Sequence, residues 1–269
     1  MKYCFVAEEF KKAIATGGLD TPARWMGYSV QEVAKDRTTE TCRLRLPAPL
    51  PGAYAKIYKY PLLKDRLRIL FRGGLLGRSR AKVECDNLRL LHSRGLAPQV
   101  IAYGRQRRFG ILEWSLLVLE EVAGAVAMDA FAVDGLRRLT RRQRGDFIRT
   151  LAAFTRAMNA KGFINTEYHW RNILVRQSGG GFSFQVIDLS SSRPWYRFFM
   201  PLFDLATLDV CAGHFFTRTE RLRFLKFYLG CEGKPLTARQ KKQAARIAAL
   251  RDTVSKKEMK RYRHILDRP

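Results

Sequence analysis

The chain has 269 residues, long enough for one large domain or two lobes with a real core, and its 46% hydrophobic and 12% aromatic content excludes a disordered polypeptide. Fifty Lys and Arg against 24 Asp and Glu give a formal charge of +26, a field that favours polyanions: nucleic acid, anionic membrane or phosphorylated substrates. Cys4, Cys42, Cys85, Cys211 and Cys231 form neither a CxxC pair nor an even framework, which argues against a zinc ribbon or a disulfide scaffold and for a reducing cytoplasm.

The opening MKYCFVAEEFKK lacks the apolar core of a secretory leader. From there to residue 60 the chain reads as β-rich. Residues 27–34 (GYSVQEVA), 38–48 (TTETCRLRLPA) and 52–60 (GAYAKIYKY) are short, partly alternating runs separated by charged or Pro/Gly turns. A basic and apolar segment follows. It mixes Leu62, Leu63, Leu67, Leu70 and Phe71 with Lys64, Arg66, Arg68 and Arg72, a composition suited either to a membrane interface or to a core helix with a solvated face.

Residues 79–95 predict a helix with Val83, Asn87, Leu90 and Leu91 on one side and Gly95 at its end. Residues 115–122 (SLLVLEEV) predict a buried strand; the longer apolar window around them carries Glu120, Glu121 and Asp129, too many acids for a transmembrane helix. The pattern then turns helical. Residues 140–162 open on a capping box from Thr140 to Gln143, line up Phe147, Leu151, Phe154, Thr155 and Met158, and close at Gly162. NILVRQ, SGGG and FSFQVID (172–188) read as a hairpin, RPWYRFFMPLF (193–203) repeats the basic and apolar mixture, and the tail from Phe203 is helical. The expected architecture is α+β and two-lobed: residues 1–121 β-rich with one main helix, residues 122–269 mostly helical.

Within this frame a set of residues has chemical meaning through its order. A strand lysine, Lys56, precedes a helix acid, Glu84; an apolar strand leads into the helical half; there Glu167, four intervening residues and Asn172 precede a hairpin that ends on Asp188. Each alone has a bland reading, as a surface lysine, a solvated helix charge or a turn-capping acid. Together they are the parts of a protein-kinase-like phosphotransferase. Lys56 would neutralise the α- and β-phosphates of ATP while Glu84 holds it. Asn172 and Asp188 offer hard oxygens to Mg2+. Glu167 would accept the proton of an attacking hydroxyl.

The sequence resembles the lipopolysaccharide core kinases, the group containing the Kdo and heptose kinases, over roughly Lys56 to Leu229. RAKVECDNLRLLHSRGLAPQVIAYG looks like that family's helix and following strand, and TEYHWRNILV is similar to its D-x-H-x-x-N-I-L loop, with His169 at the second His position. VIDLS stands where the metal-binding Asp belongs, FDLATL matches a segment whose Asp (Asp204) buttresses the catalytic loop, and RTERLRFLKFYL is similar to R-x-x-F-L-x-x-Y. The resemblance implies a protein-kinase-like fold, nucleotide contacts at Lys56, Glu84, Glu120 and Val122, catalysis by Glu167, Lys56 and Asp188, and metal binding by Asn172 and Asp188. Two departures stand out. Asn165, Thr166 and Glu167 replace the family's His-x-Asp, and no glycine-rich phosphate loop is present.

The implied acceptor is a lipid-linked core oligosaccharide at the inner face of the inner membrane, where basic residues near an anionic surface each contribute about 1 kcal/mol of attraction. A kinase-fold binding module without transfer activity is an alternative reading, and a basic nucleic-acid-binding protein is a third. No RRM-like, KH-like or zinc-finger pattern supports the last, so no specific nucleic acid is expected.

Overall fold

The computed structural model describes residues 2–60, 62, 79–160, 163, 165, 167–189 and 200–266, with 200 and 256–266 as backbone alone. They form two units, Met1–Ala123 and Gly124–Pro269.

In the first unit β1 (Lys2–Val6), a 3-10 turn (Glu8–Phe10), α1 (Lys11–Thr16) and α2 (Pro22–Met26) precede β2 (Ser29–Lys35), β3 (Thr39–Leu44) and β4 (Ala53–Lys59). Then come α3 (Arg80–His92), β5 (Val100–Arg108) and β6 (Ile111–Glu120). The sheet order is β1-β5-β6-β4-β3-β2, antiparallel throughout. The three runs expected between residues 27 and 60 are β2, β3 and β4. The two short helices before them were outside the β-rich reading; Thr21 caps α2, accepting from the Arg24 N–H, and Pro22 sits in its first turn, where its missing N–H costs nothing.

Strand alternation decides what β4 presents. Ala53, Ala55 and Ile57 join Trp25, Leu44, Ile101, Leu116 and Val118 in one core. Lys56 and Tyr58 therefore point to the opposite face, on the same side as each other. Helix α3 starts at Ser79, whose hydroxyl accepts from the Lys82 N–H at 3.2 Å. Its buried stripe is Ala81, Glu84, Cys85, Leu88 and Leu91. This corrects the expected stripe of Val83, Asn87, Leu90 and Leu91: only Leu91 is buried, and Leu90 is 47% exposed. Small residues at Ala81 and Cys85 let the helix approach the sheet, and Glu84 turns inward because a cation meets it there. Gly95 adopts φ +70° just past the helix end, the left-handed conformation open to glycine.

The second unit holds β7 (Ala125–Ala127), α4 (Met128–Arg138), α5 (Arg141–Ala160), a 3-10 turn (Trp170–Asn172), β8 (Ile173–Ser178) and β9 (Gly181–Val186). Helices α6 (Met200–Asp209), α7 (Ala212–Phe215), α8 (Arg218–Leu229) and α9 (Ala238–Leu266) follow. The expected hairpin forms, with β7 added to make a β7-β8-β9 sheet. The α5 capping box also forms: the Gln143 N–H donates to Thr140 Oγ1 at 3.3 Å and the Thr140 N–H to Gln143 Oε1 at 2.9 Å. Phe147 on the buried face of α5 meets Phe131 at 5.8 Å and Phe182 and Phe184 at 5.2 Å, an aromatic core joining α4, α5 and the hairpin.

Gly162 lies outside the described residues, as do 193–199 of the second basic and apolar segment and all of the first except Leu62, which is 42% exposed.

Candidate active site

In the first unit Lys56 Nζ lies 3.2 Å from both carboxylate oxygens of Glu84. Glu84 is 1% exposed and the Lys56 side chain 16%. Removing one partner from a pair buried this deeply strands the other charge and costs about 3–5 kcal/mol. The same carboxylate accepts a hydrogen bond from the hydroxyl of Tyr58, and the Lys56 ammonium lies 5.3 Å from the Tyr58 ring centroid. Tyr58 was missed from the sequence. Its signal was there, since a residue two along a strand from Lys56 shares its face.

Glu120 closes β6, its N–H bonded to the Gln99 carbonyl at 2.9 Å. Val122 follows, half-buried, and its backbone N–H and C=O bond to none of the described residues. Neighbouring Glu121 is fixed by the Arg43 guanidinium at 2.6 and 3.1 Å.

In the second unit Glu167, Asn172 and Asp188 lie together at one end of the β8–β9 hairpin. Asn172 is 5% exposed and its Nδ2 donates to the Glu167 carbonyl at 2.9 Å. That bond fixes the amide and leaves Oδ1 as the oxygen available to a ligand. The Ile187 N–H donates to the Asn172 carbonyl at 2.9 Å, which sets Asp188 next in line. Asp188 has φ +58°, a left-handed conformation that Asp tolerates better than most residues and that structures retain where function demands it. An amide oxygen and a carboxylate supported by adjoining backbone suit a hard divalent cation that takes its other ligands from phosphate and water.

The Glu167 side chain is 36% exposed, and its Oε2 lies 3.2 Å from His169 Nε2. A carboxylate only accepts, so Nε2 carries the proton of that bond. Three bonds from two helices pin the loop. Asp204 on α6 accepts from the Asn165 N–H at 3.0 Å, Tyr168 shares a 2.9 Å bond with Thr155 on α5, and the Trp170 indole donates to the Leu208 carbonyl at 2.7 Å. Asp204 also accepts from Asn159, yet it is fully buried, and burial holds its carboxyl well above the usual range. Loop rigidity is thus built by side chains outside the candidate set.

A separate cavity of about 350 Å3 lies among α5, α6, α8 and α9, lined largely by apolar groups such as Leu151, Leu205, Phe224 and Ile247. Among the described residues no helix is long and apolar enough to cross a membrane.

The chain resembles known proteins in fold and family. A solved structure of WaaP in complex with acyl carrier protein matches over 95% of this chain and 99% of that one, at TM-score 0.65 and 22% identity. A Mycobacterium tuberculosis PknI kinase domain, a double mutant, matches over 70% of this chain and 71% of that one, at TM-score 0.44 and 15% identity. Comparison with curated protein sequences gives no match. The model of the Lipopolysaccharide kinase (Kdo/WaaP) family matches residues 27–228, which spans β2 to α8 and every candidate residue named above. The fold is the kinase-like one expected from the sequence, and the chain belongs to the lipopolysaccharide kinase (Kdo/WaaP) family.

Proposed function

We propose that the chain transfers the γ-phosphoryl group of ATP to a hydroxyl of a heptose or Kdo sugar in the lipopolysaccharide inner core, with residues 1–121 and 122–269 as the two lobes of one catalytic domain. The observation that carries this reading is the Lys56–Glu84 pair, a cation held on a carboxylate that is only 1% exposed. A pair this costly to bury has a purpose in presenting one fixed positive charge to a polyphosphate.

Lys56 binds the α- and β-phosphates, and Glu120 and Val122 take the base through the backbone at the strand end. Glu167, oriented by His169, accepts the proton of the acceptor hydroxyl. Asn172 Oδ1 and Asp188 are the groups that would hold Mg2+, which supplies charge neutralisation between the phosphates when bound. The basic surface docks on the anionic inner face of the inner membrane, where a lipid-linked acceptor is presented. An acyl carrier protein, the partner in the WaaP structure, is a second binding partner to test, because the apolar cavity of the second unit suits an acyl-bearing ligand.

Core oligosaccharide from cells with and without the gene, compared by mass, tests the reaction: loss of one phosphate is expected, and unchanged phosphate content would refute it. With the purified chain, saturating Mg-ATP at about a hundred times its Kd should add about 2.7 kcal/mol of stability, a rise of roughly 5–10 °C in Tm. Lys56→Ala and Asp188→Ala should each remove most of that rise. A shift that survives both substitutions would mean the nucleotide is held elsewhere.

A further inference from the structure

Lys56 and Glu84 leave one feature of their site unexplained. Besides Lys56, the Glu84 carboxylate is met by the phenol of Tyr58, which is itself 1% exposed and donates to Oε2, one of the two oxygens that Lys56 touches. Tyr58 stands two residues from Lys56 on β4, and its ring lies 5.3 Å from the Lys56 ammonium. Ring and hydroxyl thus act on the two members of one ion pair.

We propose that Tyr58 is a positioning residue for nucleotide binding: its hydroxyl fixes the rotamer of Glu84, and Glu84 in turn fixes Lys56 toward the phosphates. The inference rests on the kinase reading above. A long carboxylate on a helix has three side-chain torsions, and a bond from Lys56 alone leaves the ammonium and the carboxylate free to move together. A phenol fixed in the sheet supplies an anchor that belongs to neither. The Lys56 ammonium also lies over the flat ring, 5.3 Å from its centroid, so it is guided by a face as well as by a charge. Lys56 is thereby aligned before nucleotide arrives, and less ordering remains to be done on binding.

The test is a double-mutant cycle on Mg-ADP binding by the full chain. Tyr58→Phe, which keeps the ring, should weaken Mg-ADP about tenfold, and Glu84→Ala should weaken it at least as much. In the Glu84→Ala background Tyr58→Phe should add less than twofold, because the hydroxyl then has no acceptor on that side chain to orient. A residue that merely supported the fold would add its full effect in both backgrounds. Turnover should show the same pattern, with the KM for ATP rising more than kcat falls. Independent tenfold losses in the two backgrounds, or no loss with Tyr58→Phe, would overturn the inference. If the unmodified chain bound no Mg-ADP, the kinase reading would fall and the inference with it; binding that Tyr58→Phe leaves intact sinks the inference alone. The bond is also visible without substitution. With labelled tyrosine the Tyr58 hydroxyl proton should appear in NMR spectra as a slowly exchanging signal, and its absence would count against the proposal.

Discussion

Replacing Glu167 by Ala is the sharpest question at the scale of a single residue. On the proposed reading its carboxylate acts on an acceptor hydroxyl, while Lys56, Asn172 and Asp188 serve the nucleotide end. Glu167→Ala should therefore lower kcat by about 10²–10⁴-fold and leave Mg-ATP binding nearly unchanged, measured by phosphate transfer beside a nucleotide titration. Glu167→Gln should follow it. Glu167→Asp separates two ideas about why a Glu stands where the family has Asp. His169 Nε2 reaches the longer side chain at 3.2 Å, so shortening it by one methylene breaks that bond and withdraws the base by about 1 Å, a displacement worth on the order of a hundredfold in rate. Activity should drop. A rise with Asp would show a loop built for the shorter acid, and unchanged transfer by Glu167→Ala would remove Glu167 from the chemistry altogether.

Elements explain why that residue is held so firmly, and they carry the pH dependence. Asp204 on α6 supports the loop through the Asn165 N–H from a position of complete burial, which keeps its folded pKa well above the ordinary carboxylate value. The native state therefore holds a proton that the unfolded chain releases at lower pH. The stability this contributes is fully present below the unfolded pKa of about 3.9 and is lost as pH rises through the folded value, at no more than about 1.4 kcal/mol per pH unit. Asp204→Asn cannot titrate, so the stability of the native chain relative to this variant should fall as pH rises from 4. A difference independent of pH, in parallel urea titrations, would contradict it. Glu220 at the start of α8 has the opposite sign: its bond from Arg144 depresses its pKa, and its contribution is lost on acidification. Much at this scale was legible in the sequence. The Thr140–Gln143 capping box, the SGGG hairpin and the α5 face are local patterns, and local patterns are what a sequence displays. The buried face of α3 was not: the apolar pattern pointed to Val83, Asn87 and Leu90, while the packed face is set by small Ala81 and Cys85 and by the Lys56–Glu84 pair, which the order of residues did anticipate. Two of the three pins on the loop of residues 165–172, Tyr168 and Trp170, were hidden because their partners lie on helices outside the loop. Only Asp204 was anticipated, through a family motif and not through spacing.

The whole molecule adds its charge. A formal +26 on 269 residues is far more than phosphate binding at one site requires, and the candidate site accounts for only a few of the 50 basic side chains. A field of that size acts over about 8–10 Å at physiological salt, enough to concentrate the chain on an anionic surface without any inserted segment. Binding to vesicles that carry anionic lipid should therefore be strong at low salt and fall steeply as ionic strength rises. Neutral vesicles should bind little at any salt. Replacing Arg66, Arg68 and Arg72 by Gln removes three of the charges in the most basic and apolar stretch. At about 1 kcal/mol for each charge near the surface, the loss should be on the order of a hundredfold in vesicle affinity, with Mg-ATP binding unaffected. A short nucleic-acid duplex offered in competition separates the two polyanions. If the protein left the vesicles for the duplex at physiological salt, the charge would serve nucleic acid and membrane docking would be the wrong account of it. If neutral and anionic vesicles bound alike, attachment would be hydrophobic and the charge incidental. Retention on the anionic vesicles, weakened by salt and by the triple substitution, is the outcome expected of an enzyme whose acceptor is anchored in that surface.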